Sequence, residues 1–168
     1  MATPPDELAL AAAATSAAGL EAFVIEHYPR LIRLAGLVCH GVDEAEDAVQ
    51  AALERAWRQR GTLANPDRLR PWLDRIVVRE AIRARRRMRP TVVDLTRSVE
   101  TRTDEWATVR QAFASLSREQ RAVVALHLFL GYPIAETANI VGAPIETVRS
   151  RLRLARERLR QLLAEEVD

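Results

Sequence analysis

Arginine carries the binding chemistry of this 168-residue chain. Residues 149–160 contain six Arg and one Glu, and residues 79–89 also contain six Arg and one Glu. A guanidinium group is permanently charged and presents its N–H donors in a planar fork, which fits phosphate oxygens and the major-groove edge of guanine. Both segments are therefore candidates for contacts with nucleic acid.

The positions of the charges are more informative than their sum, which is a net charge of only +2. All 25 basic residues are Arg, a usage that GC-rich coding alone would explain. The charges are nevertheless segregated, with −7 over residues 1–54, +9 over 55–91, −2 over 92–146 and +2 over 147–168. Coding bias does not produce this partition, so we expect one acidic and two basic surfaces.

The elements that must position these charges are helical in pattern. Beyond residue 20 apolar residues recur at helical spacing and no run alternates like a strand, so we predict an all-α fold. The first helical region covers Leu20–Val38, with Pro29 in the first turn of a second piece. A further helix starts with Asp43 as its N-cap and Glu46 three residues on, and its apolar face runs to Trp57.

Residues 61–68 are rich in Gly, Asn and Pro and are predicted to form a loop. Pro71 then begins a helix that ends in Arg85–Arg87. The polar, unpatterned residues 91–104 predict a flexible linker. We therefore expect two small helical domains, residues 20–90 and 105–168, after a disordered Ala-rich tail of residues 1–19.

The second domain has the pattern of a helix-turn-helix. Ser117 and Gln120 form a capping box, Gly131 ends that helix, and a short helix follows over residues 134–141. Gly142 makes a turn, and Pro144 opens a long helix to about Ala164. Two helices joined by a short Gly turn, the second of them basic, are typical of DNA-binding proteins.

The last helix separates a core face from a polar face. Val148, Leu152, Ala155 and Leu159 share a narrow arc and are predicted to be buried. On the other side Arg149, Ser150 and Arg153 are placed to contact bases. The residues Arg151, Arg156 and Arg160 can reach phosphates. The alternative interpretation of such a helix is an ordinary solvated surface, and the preceding turn and short helix favour DNA.

Several kinds of site are excluded by residue types. One Cys and three scattered His provide neither a disulfide framework nor zinc ligands, and no nucleophile and base are paired, so we expect no metal, no cofactor and no enzyme activity. We also find no membrane span and no signal peptide, and expect a cytoplasmic protein. The tryptophans Trp57 and Trp72 are predicted to be core residues.

Taken in order, these motifs resemble the extracytoplasmic-function (group IV) sigma factors of bacterial RNA polymerase. Residues 23–34 (FVIEHYPRLIRL) look like the opening helix of sigma region 2, and residues 44–57 (EAEDAVQAALERAW) like the helix that docks on core polymerase. Residues 71–87 (PWLDRIVVREAIRARRR) are similar to the minus-10 helix. Residues 116–163 resemble region 4, with GAPIETVRSRLRLARERLR as the minus-35 reader.

The resemblance implies a role for particular residues. The residues implied to dock on core polymerase are Asp47, Gln50 and Glu54. Those implied to contact the minus-10 element are Asn65, in the loop that would pocket a flipped base, and Arg75, Arg79, Arg83 and Arg86. Those implied to contact the minus-35 element are Glu146, Thr147, Arg149, Ser150 and Arg153. The implied partners are promoter DNA, the clamp helices and flap of core polymerase, and an anti-sigma factor.

The chain departs from the family pattern at several positions. Ala51 stands where an acidic residue is usual, and Leu154 where an Arg is frequent. Asp74, Arg79 and Arg83 stand where Tyr, Asn and Asp are often found, so the minus-10 specificity of the family does not carry over. Outward-facing Leu154 is suited either to a thymine methyl group or to packing on a neighbour.

Two other functions are compatible with parts of the pattern. A stand-alone helix-turn-helix regulator would bind duplex DNA as a dimer, but it leaves residues 43–89 unexplained. A helical interaction adaptor would have Arg spread evenly over its surface, and the charge partition argues against that. A sigma factor that binds core polymerase and directs promoter-specific initiation accounts for all three charged blocks.

Overall fold

The fold, seen here in a computed structural model, is described for residues 16–39, 41–63, 65–84 and 113–164. These residues form helices and no strand, which confirms the all-α prediction. The α-helices are α1 (Ala17–Val38), α2 (Val42–Gln59), α3 (Leu69–Arg83), α4 (Arg118–Val124), α5 (Ile134–Val141) and α6 (Ile145–Ala164). The tail before Ser16, the predicted linker 91–104 and Arg86 lie outside the described residues.

Helix α1 is one continuous helix, so the predicted break at Pro29 is wrong. The helix begins at Ala17, where the Ser16 side chain accepts a hydrogen bond from Gly19 N at 3.0 Å. Proline removes one intrahelical hydrogen bond, and that bond would have reached the carbonyl of Ile25. Ile25 and Pro29 are both exposed, so water can solvate this carbonyl and the helix continues.

Helix α2 begins one residue before Asp43, so the prediction of Asp43 as its N-cap is wrong. Gly41, with extended backbone, occupies the N-cap position without a side-chain hydrogen bond. Asp43 and Glu44 lie in the first turn, where the positive end of the helix dipole stabilises carboxylates. The predicted loop after α2 contains two short 3₁₀ turns, Arg60–Thr62 and Pro66–Arg68.

In the second half of the chain, described over residues 113–164, the helices begin and end at the predicted capping and turn residues. The capping box is present, since Ser117 Oγ accepts from Gln120 N at 3.2 Å and Gln120 Oε1 accepts from Ser117 N at 2.9 Å. Helix α4 passes into a π-helical turn, Ala125–Phe129, before Gly131 with φ of 72°. Helix α5 has the predicted bounds, and Gly142 follows it with φ of 70°. None of the described helices is long and apolar enough to cross a membrane.

Two apolar clusters hold the helices together. The larger cluster contains the buried residues of α1, α2 and α3, and also Ala122, Ala125, Leu126 and Ile140 from the second half. The smaller cluster packs α4 and α5 against Val148, Leu152 and Ala155 of α6. The two halves of the chain therefore share a core and lie packed against each other.

Asp74 of α3 is the centre of the polar contacts between the halves. Its side chain is fully buried and accepts hydrogen bonds from Arg30 Nη1 and Nη2 at 2.6 and 2.5 Å. The Tyr132 hydroxyl, from the segment between α4 and α5, donates to the same carboxylate at 2.6 Å. The hydrogen bonds that Arg30 donates to Asp74 raise the pKa of Arg30. The pKa of Tyr132 is also raised, mainly by burial and in addition by its hydrogen bond to Asp74. Helix α1, helix α3 and the segment between α4 and α5 are thus joined at the buried Asp74 carboxylate.

A second polar contact joins the start of α4 to α2 and α3. Arg118 forms an ion pair with Glu44 and donates from Nη1 to the carbonyl of Ala81 at 2.9 Å. Nearby Arg121 is buried, and desolvation lowers its pKa to about 10. The Cys39 thiol completes this region, with Sγ 3.7 Å from the Glu44 carbonyl oxygen.

The buried thiol of Cys39 predicts a pH-dependent stability. Burial, assisted by the Glu44 carboxylate, raises its pKa from 9.0 to about 12. Since the unfolded chain loses this proton at lower pH than the folded chain, the stabilisation is complete below pH 9 and is lost as the pH rises toward 12. Relative to Cys39→Ala, we expect the free energy of unfolding to fall by about 1.4 kcal/mol between pH 8 and pH 10. Urea denaturation of both chains measures this difference, and identical pH profiles would contradict it.

Candidate nucleic-acid and polymerase-docking surfaces

Helices α5 and α6 form the predicted helix-turn-helix. The N–H groups of Gly142 and Ala143 both donate to the Ala138 carbonyl, at 2.9 and 3.1 Å, and so close the end of α5. The positive φ of Gly142 turns the chain at this point without the strain that a β-carbon would add. Val148 N then donates to the Pro144 carbonyl at 3.1 Å, which starts α6 in a new direction.

Helix α6 buries the face that its spacing predicts. Val148, Leu152 and Ala155 are at most 3% exposed, and Leu159 packs against the same cluster. The predicted base-contacting residues Glu146, Arg149, Ser150 and Arg153 are exposed, and Thr147 is half-buried. Of the predicted phosphate contacts, Arg156 and Arg160 are exposed and Arg151 is half-buried. The helix thus presents one continuous basic face to solvent.

Ion pairs within α6 hold two of these arginines in place. Arg149 Nη1 donates to Glu146 Oε1 at 2.5 Å, and Arg160 Nη1 donates to Glu157 Oε2 at 2.9 Å. Each pair is exposed and spaced three residues apart, so the contribution to stability is small. Leu154 is 47% exposed on the same side of the helix, as predicted. It adds an apolar element to a surface of charges.

Two of the arginines of α3 face solvent, and a third contacts the second half of the chain. Arg75 and Arg83 are exposed, whereas Arg79 is half-buried with its guanidinium against Gly142. Burial, and then the charges of Arg75, Arg83 and Arg55, lower the pKa of Arg79. Crowding of like charges favours the binding of an anion, which fits a phosphate-contacting role.

The loop before α3 is organised by Asn65. Its Oδ1 accepts a hydrogen bond from Asp67 N at 2.9 Å, which forms a local turn and leaves the residue exposed. One lone pair of this oxygen is therefore already used. The other lone pair and the amide donors are the groups through which Asn65 can contact a base.

Helix α2 presents a polar face of exposed residues, which we call the α2 face. At 100° per residue, Asp47, Gln50, Ala51, Glu54 and Trp57 fall within about one third of a turn. All five are exposed. The three predicted docking residues are thus brought together on one surface, with Ala51 among them.

Trp57 belongs to this surface, so the prediction of a core position is wrong. It is 45% exposed, and the Arg60 guanidinium lies 4.8 Å from its ring centroid. The small residues Ala52 and Ala56 fill the buried side of α2, which leaves no space for an indole there. The signal in the sequence was Arg60 three residues after Trp57, a spacing that permits cation–π stacking. Trp72 does pack against the core as a half-buried residue.

The two halves of the chain match the two regions of one protein family in order. Residues 23–91 match the family described as sigma-70 region 2, and residues 107–159 match sigma-70 region 4. The region 2 match covers the residues that a stand-alone helix-turn-helix regulator leaves unexplained. That alternative finds no support in these matches.

Individual proteins and structures agree with the family match. The chain is 37% identical over 147 residues to the ECF RNA polymerase sigma factor SigM of Mycobacterium tuberculosis, covering 82% of this chain and 73% of that protein. It is 33% identical to SigL of the same organism, covering 92% and 94%. The structure is similar to the sigma factor RpoE of Bartonella quintana in complex with the anti-sigma factor NepR, with TM-score 0.72, 27% identity and coverage of 86% and 96%. It is also similar to CnrH in complex with the cytosolic domain of CnrY, with TM-score 0.69, 26% identity and coverage of 95% and 97%.

Proposed function

The chain belongs to the extracytoplasmic-function sigma factors, which direct transcription initiation by RNA polymerase, and from this premise we propose how its surfaces divide that work. The observation that carries the proposal is the charge partition on folded surfaces. The α2 face is acidic and polar, while α6 and part of α3 present arginines. A protein that must bind both polymerase and DNA needs surfaces of different charge.

The α2 face is the proposed docking surface for core polymerase. Asp47, Gln50 and Glu54 supply carboxylates and an amide, and Trp57 supplies an exposed aromatic ring. Aromatic side chains are enriched at protein interfaces, and charges complementary to those of the partner supply specificity. Glu54 lies at the centre of the face and Ala51 at its edge, where the family usually has an acidic residue, so Glu54 gains relative importance.

Helix α6 is the proposed reader of the minus-35 duplex. Arg149, Ser150 and Arg153 lie near the amino-terminal end of the helix, where recognition helices contact base edges. Glu146 lies on the same exposed face and holds Arg149 through their 2.5 Å contact. Arg151, Arg156 and Arg160 supply phosphate contacts, whose contribution to affinity falls with salt.

Helix α3 and the loop around Asn65 are the proposed minus-10 surface. Melted bases need unpaired polar groups, a pocket and surrounding positive charge. Asn65 supplies amide groups, and Arg75, Arg79 and Arg83 supply the charge. Arg86 belongs to the same proposal through its place in the sequence.

The wider organisation is proposed on the same basis. Residues 20–90 and 105–168 form the two functional domains, joined by residues 91–104. The protein acts in the cytoplasm as a regulatory subunit without catalytic activity. An anti-sigma partner is supported by the similar structure of the sigma factor RpoE, which is in complex with the anti-sigma factor NepR.

Reconstitution with core RNA polymerase tests the function directly. The purified chain is mixed with bacterial core polymerase and a library of promoter DNA, and transcripts are mapped. We expect initiation at a specific subset of sequences that share minus-35 and minus-10 elements. Footprinting of duplex DNA by the chain alone, without any specific transcript, would contradict the proposal.

Arg149→Ala and Arg153→Ala test the minus-35 contacts. Each is expected to weaken use of the preferred minus-35 sequence by roughly 1–3 kcal/mol, because each removes a bidentate contact to a base. The matched control is Arg158→Ala, an exposed Arg on α6 about half a turn from Arg149. Initiation is compared on the preferred promoter and on variants of it. Equal losses on every promoter would assign the two arginines to phosphates instead.

Glu54→Ala tests polymerase docking against Glu21→Ala. Both substitutions remove one exposed carboxylate, but Glu21 lies on α1 and only Glu54 lies on the α2 face. We expect Glu54→Ala to weaken binding to core polymerase by about tenfold, or ~1.4 kcal/mol, and Glu21→Ala to leave it almost unchanged. Fluorescence anisotropy with labelled chain measures both affinities. Equal effects of the two substitutions would show that only net charge matters.

A further inference from the structure

The exposed face of α6 is arranged symmetrically about its centre. At 100° per residue, the direction opposite the buried stripe of this helix passes close to Ser150. Arg153 lies about 50° to one side of this direction, and Leu154 lies about 50° to the other. Arg156 and Arg151 lie about 110° to either side. An apolar residue thus occupies the position that mirrors Arg153, a predicted base contact.

Two carboxylates lie at the centre of this face. The side chains of Glu146 and Glu157 are 79% and 55% exposed. Both residues lie within about 30° of the central direction. A carboxylate repels phosphate but can accept a hydrogen bond from the amino group of cytosine in the major groove. The centre of the face is therefore suited to base edges, and Arg151 and Arg156 at its margins are suited to the phosphates on either side of the groove.

Leu154 is distinguished by its position on this face. It is 47% exposed and is a member of neither apolar cluster of the described residues. A single exposed Leu is common on protein surfaces and by itself indicates no function. Leu154, however, lies as close to the centre of the face as Arg153 does. When α6 lies in the major groove, the Leu154 side chain is directed toward base edges.

A Leu side chain can recognise one feature of a base edge. It has neither a donor nor an acceptor, so it cannot read a base by hydrogen bonding. Thymine alone presents a methyl group in the major groove, and contact between this methyl and Leu buries apolar surface of both. Leu against the amino group of adenine or cytosine would displace water without replacing its hydrogen bond. Leu at this position therefore favours thymine.

Ser150 and Thr147 extend this uncharged part of the face toward the start of α6. With Leu154 they lie within about 60° of one another around the helix. They cover about 10 Å along its axis, or roughly three base pairs at 3.4 Å. Ser150 is exposed and Thr147 is half-buried. Helix α6 thus presents an uncharged strip beside its row of arginines, and the two are suited to different bases.

We propose that Leu154 selects a thymine in the minus-35 element through contact with the C5 methyl group of that base. The contacted base pair adjoins those read by Ser150 and Arg153. This inference rests on the proposed function, because it requires α6 to read the minus-35 duplex. It adds a specificity-determining residue at a position where the family frequently has an Arg. The minus-35 preference of this chain is thus expected to differ at one base pair from that of relatives with the Arg.

Removal of single methyl groups from the DNA tests the contact. The full chain is reconstituted with core RNA polymerase, and its preferred minus-35 sequence is identified from a promoter library. Each thymine of either strand of that sequence is then replaced in turn by deoxyuridine, which lacks only the methyl group. Initiation is measured at subsaturating holoenzyme. We expect one replacement to lower initiation about fourfold, as for the loss of one buried methyl group.

Substitutions at Leu154 connect this effect to the side chain. Leu154→Ala is expected to initiate equally with thymine and with deoxyuridine at that base pair. Leu154→Arg is expected to prefer guanine there, because Arg donates to guanine O6 and N7. The control is Ile145→Ala, which also removes an exposed apolar side chain from α6 but lies about 130° from the centre of the face. It should keep the fourfold effect. Circular dichroism verifies that each variant keeps its helices.

Three results would overturn the proposal: a preferred minus-35 sequence without thymine on either strand, equal initiation with thymine and deoxyuridine at every position, or deoxyuridine effects that are all unchanged in Leu154→Ala. Failure of the proposed function is distinguishable from these. A chain that directs no specific initiation would contradict the function and the inference together. Specific initiation without any effect of the methyl groups would contradict only the role of Leu154.

Discussion

A buried carboxylate organises this structure. Asp74 has no exposure to solvent, and an ionised group in that position is stable only when partners replace its water. Arg30 supplies two charge-assisted hydrogen bonds from α1, and Tyr132 supplies a third from beyond the predicted linker. These partners come from 44 and 58 residues away along the chain. The rotation of α3, and with it the direction of its arginines, depends on this site.

The two basic surfaces differ because their helices have different neighbours. Helix α6 packs through a single stripe, so its arginines from Arg149 to Arg160 face solvent, except the half-buried Arg151. Helix α3 is covered on more than one side, by α1, α2 and α5, and its residue Arg79 is turned against Gly142. One basic surface is thus exposed and the other is partly covered within the same described structure.

Local signals predicted the second half better than the first. The capping box of Ser117 and Gln120 and the positive φ of Gly142 involve residues close in sequence, and their chemistry determines the helix bounds directly. In the first half, the prediction of Asp43 as the N-cap is wrong because an acidic residue at the start of a helix suits either the cap or the first turn. The spacing predicts Trp57 in the core, although Ala52 and Ala56 fill the buried side of α2 in this part of the helix. Spacing gives the direction of a side chain, but not the space available for it.

The sequence by itself determined the all-α class, the helix-turn-helix and the exposed face of α6, because periodicity and capping act over a few residues. It also placed Asp47, Gln50 and Glu54 on one side of a helix. Only the tertiary structure decided that Asp74 is a buried hydrogen-bonding centre, that Arg79 is partly covered and that Arg118 pairs with Glu44. These features are contacts between residues that are distant in the sequence. They depend on how whole helices pack together, and a local sequence pattern does not determine that packing.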